Sequence, residues 1–92
     1  MLIEFDHAKD AINRDKHGIS LGEAARIDWD NAVVWPDARY GYDEERMCGL
    51  GYIGERLYHI AFVDRGHIRR VISFRKANKR EHNDYVRYFT KW

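Results

Sequence analysis

Nine of the sixteen lysines and arginines in this 92-residue sequence follow Asp64: Arg65, Arg69, Arg70, Arg75, Lys76, Lys79, Arg80, Arg87 and Lys91. Only Glu81 and Asp84 oppose them, so the tail carries +7 and the preceding 64 residues −6. Clustered cations gain affinity for a polyanion by releasing its counterions, which points to phosphate chemistry. The same cluster can equally be a solvated basic face. Cutting a ribose phosphodiester without a metal needs a base for the 2′-OH proton, cations around the phosphorane and an acid for the 5′ oxygen. Arginine supplies the cation at any cellular pH. Histidine titrates near neutrality, so His17 is a candidate acid or base, and equally a cap on the last carbonyls of a helix. Glu45, beside Arg46, is a candidate base or the partner of an arginine.

Strand alternation places Ile68, Arg70, Ile72 and Phe74 on one, core-like face and His67, Arg69, Val71, Ser73 and Arg75 on the other. The second set forms a basic strip that opens onto Lys76, Lys79 and Arg80 at a helix start, where free backbone N–H groups also favour anions. This is the expected phosphate site. Other chemistries find less support. Cys48 is the only cysteine, which removes intramolecular disulfides and a thiolate zinc cage, and His7, His17, His59, His67 and His82 show no metal-ligand spacing. Neither a metal nor another cofactor is expected. Six tyrosines could stack on bases or simply pack. No secretory leader or membrane span is visible, so a soluble, cytoplasmic protein is expected.

The elements that must position these residues read as follows. Leu2 to Phe5 is a short strand, Asp6 caps a helix with Ala8, Ala11 and Ile12 on its apolar face, and Gly18 stops it. "SLGE" from Ser20 is a capping box for a second helix, with Leu21, Ala24 and Ala25 as its buried stripe. "AVVW" is a strand ended by Pro36, and "RYGYDEE" is a polar connection. Arg46 to Ile53, Leu57 to Val63 and His67 to Phe74 are strands with short separations, which predicts an antiparallel meander without parallel pairs. Asn78 to Lys91 closes the chain as a basic amphipathic helix. The expected architecture is one α+β domain over 1–92: an antiparallel sheet with two N-terminal helices and a C-terminal helix.

Four segments, "EFDHAK", "KHGIS", "DEERMCGLG" and "ISFRKANKRE", in this order over essentially the whole chain, resemble the BrnT family of bacterial type II toxins. The resemblance implies a RelE-like fold and a metal-independent endoribonuclease that cuts RNA and blocks translation. It also implies a ribbon-helix-helix antitoxin, BrnA, and binding of operator DNA only through the toxin-antitoxin complex. Carried over by position, it points to His17, to Glu45 and Arg46, and to Arg75 and Lys76, with Arg80 and Glu81 at the start of the last helix. Joined with the charge pattern, this gives His17, Glu45 and Arg75 as the expected catalytic residues and Arg46, Arg69, Lys76, Lys79 and Arg80 as the expected RNA-binding ones. Phe74 stands where many relatives have alanine, which predicts a bulkier pocket wall. An acidic antitoxin segment, anchored on an aromatic such as Trp92, is expected to compete with RNA for the cations. A non-catalytic nucleic-acid-binding or regulatory module on the same fold is the other class compatible with the charge pattern.

Overall fold

A computed structural model describes residues 1–37 and 44–90. The elements are β1 (Leu2–Glu4), α1 (His7–His17), 3-10 helices at Leu21–Arg26 and Trp29–Asn31, β2 (Val33–Pro36), β3 (Met47–Ile53), β4 (Arg56–Arg65), β5 (Ile68–Lys76) and α2 (Lys79–Phe89). They form an α+β structure around one five-stranded sheet in the order β1-β5-β4-β3-β2. The meander from β2 to β5 is antiparallel as expected, and Gly54 and Gly66 take the positive φ that the two tight hairpin turns require.

The sheet as a whole is mixed. β1 runs parallel to β5, with Leu2 opposite Ile68 and Glu4 opposite Arg70. The expectation of no parallel pair considered only strands adjacent in sequence. β1 and β5 need no dedicated crossover, because everything between them serves as the connection. The second N-terminal helix is a six-residue 3-10 helix rather than an α-helix. Ser20 does not complete the predicted box with Glu23. Its hydroxyl donates to Asp10 Oδ1 at 3.0 Å and accepts from the Gly22 N–H at 3.3 Å, while the Leu21 N–H donates to the same Asp10 oxygen at 2.7 Å. A buried carboxylate thus sets the first turn, and the segment is too short to recover α geometry.

The inner face of α1 is polar. Ala8, Ala11 and Ile12, the predicted apolar stripe, are exposed, and Asp10 and Asn13 are buried in their place. β1 covers β5 only as far as Arg70. Beyond it, the Asn13 amide takes over the strand edge, accepting from the Phe74 N–H at 3.1 Å and donating to the Phe74 C=O at 2.8 Å and the Ile19 C=O at 2.9 Å. A side chain here does what a neighbouring strand's peptide group would do.

A bulge determines what β5 presents. Ala61 pairs with Ser73 but Phe62 pairs with Val71, so Ile72 is passed over and the alternation slips by one residue. Val71 and Phe74 therefore both face the core, joining Leu21, Ala24, Ile27, Ile60 and Phe62. Arg69 and Arg75 fall on opposite faces, which corrects the single basic strip. Phe74, fully buried, is a core residue on the helix side of the sheet and not the wall of a pocket. Removing the Asn13 amide leaves two buried backbone groups of Phe74 and one of half-buried Ile19 without their partner. Asn13→Ala is expected to lower unfolding free energy by about 2–3 kcal/mol in urea titration, and Asn13→Asp, which accepts but cannot donate, to do no better.

Candidate active site

The sheet face turned away from α1 is open, and cross-strand register brings its side chains into rows: Trp35 opposite Cys48, Leu50 opposite His59, and His59 opposite Arg75. Helix α2 leans over this face. Asn78 caps it with both halves of a capping box, accepting from the Glu81 N–H at 2.8 Å while its own N–H donates to Glu81 Oε1 at 3.0 Å. Further along, the Tyr85 hydroxyl donates to the Asn31 C=O at 2.8 Å, and Tyr52 meets both the Tyr85 ring and His82 Nε2, the latter at 3.3 Å. Between sheet and helix lies a cleft of about 770 Å³. Its floor includes Trp35, His59 and Arg75, and its helical wall includes Arg80, Glu81, Tyr85 and Tyr88.

Arg75 and Glu81 form the central pair, with Nη1 on Oε1 and Nη2 on Oε2, both at 2.8 Å. His59 Nε2 lies 3.9 Å from Glu81 Oε2, and its ring meets the edge of Trp35 at 6.2 Å between centroids. The Arg75 guanidinium pulls the Glu81 carboxyl down to about 2 against the opposing effect of burial, with the Asn78 N–H assisting. Glu81 is therefore ionised at any cellular pH and cannot act as an acid. Burial pushes the Tyr85 hydroxyl up, so it stays protonated and serves as a donor.

The residues singled out in the sequence scatter more widely than expected. Arg75 is on the cleft floor and Arg80 on its wall. Lys76 and Lys79 are exposed nearby in sequence and, with Arg80, form no ion pair among the described residues. Arg69 is on the helix side, its guanidinium 4.1 Å from the Phe62 ring centre and 4.5 Å from that of Trp29, and is doubly bonded to Asp64 at 2.7 and 2.8 Å. His17 is exposed at the end of α1, which is tied through Asn13 to the edge of β5, and it does not line the cleft. Glu45 is exposed ahead of β3, and Arg46 beside it accepts from the Asp37 N–H at 2.7 Å through its C=O. Tyr40, Tyr42 and Trp92 lie outside the described residues.

Much of the tail's positive charge is answered within the fold. Arg65 binds Glu44, with Nε to Oε2 at 2.7 Å, and Arg70 binds Glu4 at 2.9 Å. The asymmetry along the sequence is thus partly an internal complementarity between early carboxylates and late arginines. His59 was missed by sequence reasoning. The available signal was the alternation of β4, which puts Leu57, His59 and Ala61 opposite to Tyr58, Ile60 and Phe62; pairing it with Arg75 required knowledge of the bulge.

A family model described as "Ribonuclease toxin, BrnT, of type II toxin-antitoxin system" matches residues 5–81. The match spans the cleft floor and ends on Glu81, leaving most of α2 outside it. None of the curated proteins matches the chain.

The Arg75–Glu81 pair also predicts an acid-dependent stability. The Glu81 value in the fold lies below its usual 4.5, so its contribution is complete above about pH 5 and is lost as pH falls toward 2. The contribution is on the order of 2–3 kcal/mol. Urea titrations at pH 7 and pH 3 are expected to show a smaller drop for Glu81→Gln than for the wild type, since the variant has no carboxylate there to protonate.

Proposed function

The chain belongs to the BrnT family of ribonuclease toxins of type II toxin-antitoxin systems, and on that footing we propose that the cleft is a metal-independent endoribonuclease site. The family membership also gives the chain a protein antitoxin as partner. The observation that carries the proposal is Arg75, a guanidinium on the cleft floor one strand away from an imidazole, His59.

A phosphodiester seated on Arg75, with Arg80 beside it on the helical wall, meets positive charge where the phosphorane develops its negative charge. His59 carries the proton, as base toward the 2′-OH or as acid toward the 5′ oxygen. The 2′ oxygen bonds to phosphorus as the bond to the 5′ oxygen breaks, leaving a 2′,3′-cyclic phosphate and a 5′-hydroxyl. In this mechanism the electrophilic work falls to arginine. The proton-transfer part expected of His17 and Glu45 passes to His59, and Arg69 is engaged by Asp64 on the other face; Arg46, Lys76 and Lys79 stay as proposed contacts to the RNA backbone.

The same proposal makes the fold RelE-like, the cellular effect arrest of translation in the cytoplasm, the antitoxin a BrnA-type ribbon-helix-helix protein, and operator DNA a ligand of the complex alone. Among the described residues no helix is long and apolar enough to cross a membrane. Trp35, Tyr88 and Phe89 are exposed, and take the anchoring part first given to Trp92. The antitoxin then covers Arg75, Arg80 and these aromatics together.

The purified protein is expected to cut RNA in EDTA, Arg75→Ala to lose at least about 100-fold in rate and His59→Ala a similar amount, with circular dichroism unchanged. Strict dependence on an added divalent metal would overturn the metal-free mechanism. An Arg75→Ala variant that still cuts, or a wild type that binds RNA without cutting it, would favour the non-catalytic binding module. Antitoxin association is expected to slow with rising salt, and RNA to bind the free toxin but not the complex; salt-independent association with unimpaired RNA binding would place inhibition elsewhere.

A further inference from the structure

A guanidinium has two edges that can grip an oxyanion with two parallel hydrogen bonds, a side-on edge made of Nε and Nη2 and an end-on edge made of Nη1 and Nη2. Arg65 and Arg69 both give the side-on edge to a carboxylate, Glu44 and Asp64 respectively. Arg75 differs. It gives Glu81 the end-on edge, and its Nη1 also reaches the Lys76 C=O at 3.3 Å. Among the described residues the Nε of Arg75 has no hydrogen-bond partner, and one third of the side chain is exposed in the cleft.

We infer that Glu81 is a positioning residue for the nuclease site: by holding the end-on edge of Arg75 it reserves the side-on edge for the scissile phosphodiester. The inference rests on the functional reading above and assigns a part to a residue that reading leaves idle. Glu81 is suited to it because its carboxylate is itself fixed. Oε1 accepts from the Asn78 N–H as well as from Arg75, so the capping box of α2 and the orientation of the arginine share one oxygen. The carboxylate stays ionised far below neutral pH, so the arrangement does not change over the range in which an imidazole titrates. The opposite role, a carboxylate that occupies the phosphate's place until RNA displaces it, is less well served. Glu81 takes the edge a phosphate does not need, and leaving would also undo the helix cap. Because the pair is neutral, the long-range pull on RNA comes from Lys76, Lys79 and Arg80, while Arg75 supplies directed hydrogen bonds at close range.

Two measurements test this. In single-turnover cleavage of a short RNA, Glu81→Gln is expected to lose about 100-fold in the rate at saturation, with little change in the half-saturating protein concentration. Asn78→Ala, which weakens the start of the same helix but keeps the Arg75–Glu81 pair, is expected to stay near the wild-type rate. A Glu81→Gln protein as fast as wild type, or faster, would make Glu81 a competitor of the substrate; an Asn78→Ala protein as slow as Glu81→Gln would make the helix start the cause. Either result overturns the inference. The second measurement needs no catalysis: the NMR signal of the Arg75 Nε–H is followed in wild type as inorganic phosphate is added. A shift that saturates in wild type and weakens in Glu81→Gln supports the positioning role even if the protein cuts no RNA, in which case the nuclease reading alone fails. An unmoved wild-type Nε–H signal overturns the inference whether or not the variant folds.

Discussion

The amide of Asn13 on the backbone of Phe74 is the contact on which the rest of this structure turns. Side chains on a strand alternate, so a slip of one residue in β5 would exchange Phe74 and Arg75, putting a cation into the core and a phenyl ring into the cleft. The bulge at Ile72 creates that hazard by shifting the alternation halfway along the strand. Asn13 removes it, because its carbonyl and amino groups fit only a residue whose N–H and C=O both point outward at that place. Asp10, one turn earlier, fixes Ser20 and Leu21 in the same way. Helix α1 is thus a bracket: two polar side chains tie the sheet edge and the following turn to one rigid element, and core packing fills in around them.

Charge is arranged on a second principle. The arginines of β4 and β5 and the early carboxylates are separated in sequence and joined in space: Arg70 with Glu4, Arg65 with Glu44. Such exposed pairs contribute only about 0–1 kcal/mol each, too little to account for the fold. Their effect is to neutralise cations away from the cleft and leave Lys76, Lys79 and Arg80 as the exposed positive cluster beside it. The Arg75–Glu81 pair is of another kind, with two direct bonds, a half-buried carboxylate and a helix cap held together.

Local chemistry was what the sequence made legible. The caps at Asp6 and Asn78, the stop at Gly18 and the hairpins at Gly54 and Gly66 each rest on a few neighbouring residues, and each appears in the structure. The parts that eluded it are set by distant partners. Nothing near Ile72 announces a bulge, since the strand pattern on either side is intact. Ala8, Ala11 and Ile12 form a plausible apolar stripe, yet Asn13 faces inward because a strand edge sixty-one residues away needs its amide. Arg75 was legible within a charged motif, whereas His59 was hidden in an apolar strand until register set it beside that arginine.

Helix α2 has no buried residue, and Val86, Tyr88 and Phe89 are exposed on it. Its ties to the body are few, side-chain based and concentrated at Glu81, His82 and Tyr85. Backbone amides in its last turn, beyond Tyr85, should therefore exchange with solvent through local fraying, at a free energy far below that of opening the sheet. A surface mounted on such an element is insulated from the core beneath it. Its residues can change in size or polarity without propagating strain into β5, so what the outer half of the helix contacts can be altered without rebuilding the floor of the cleft.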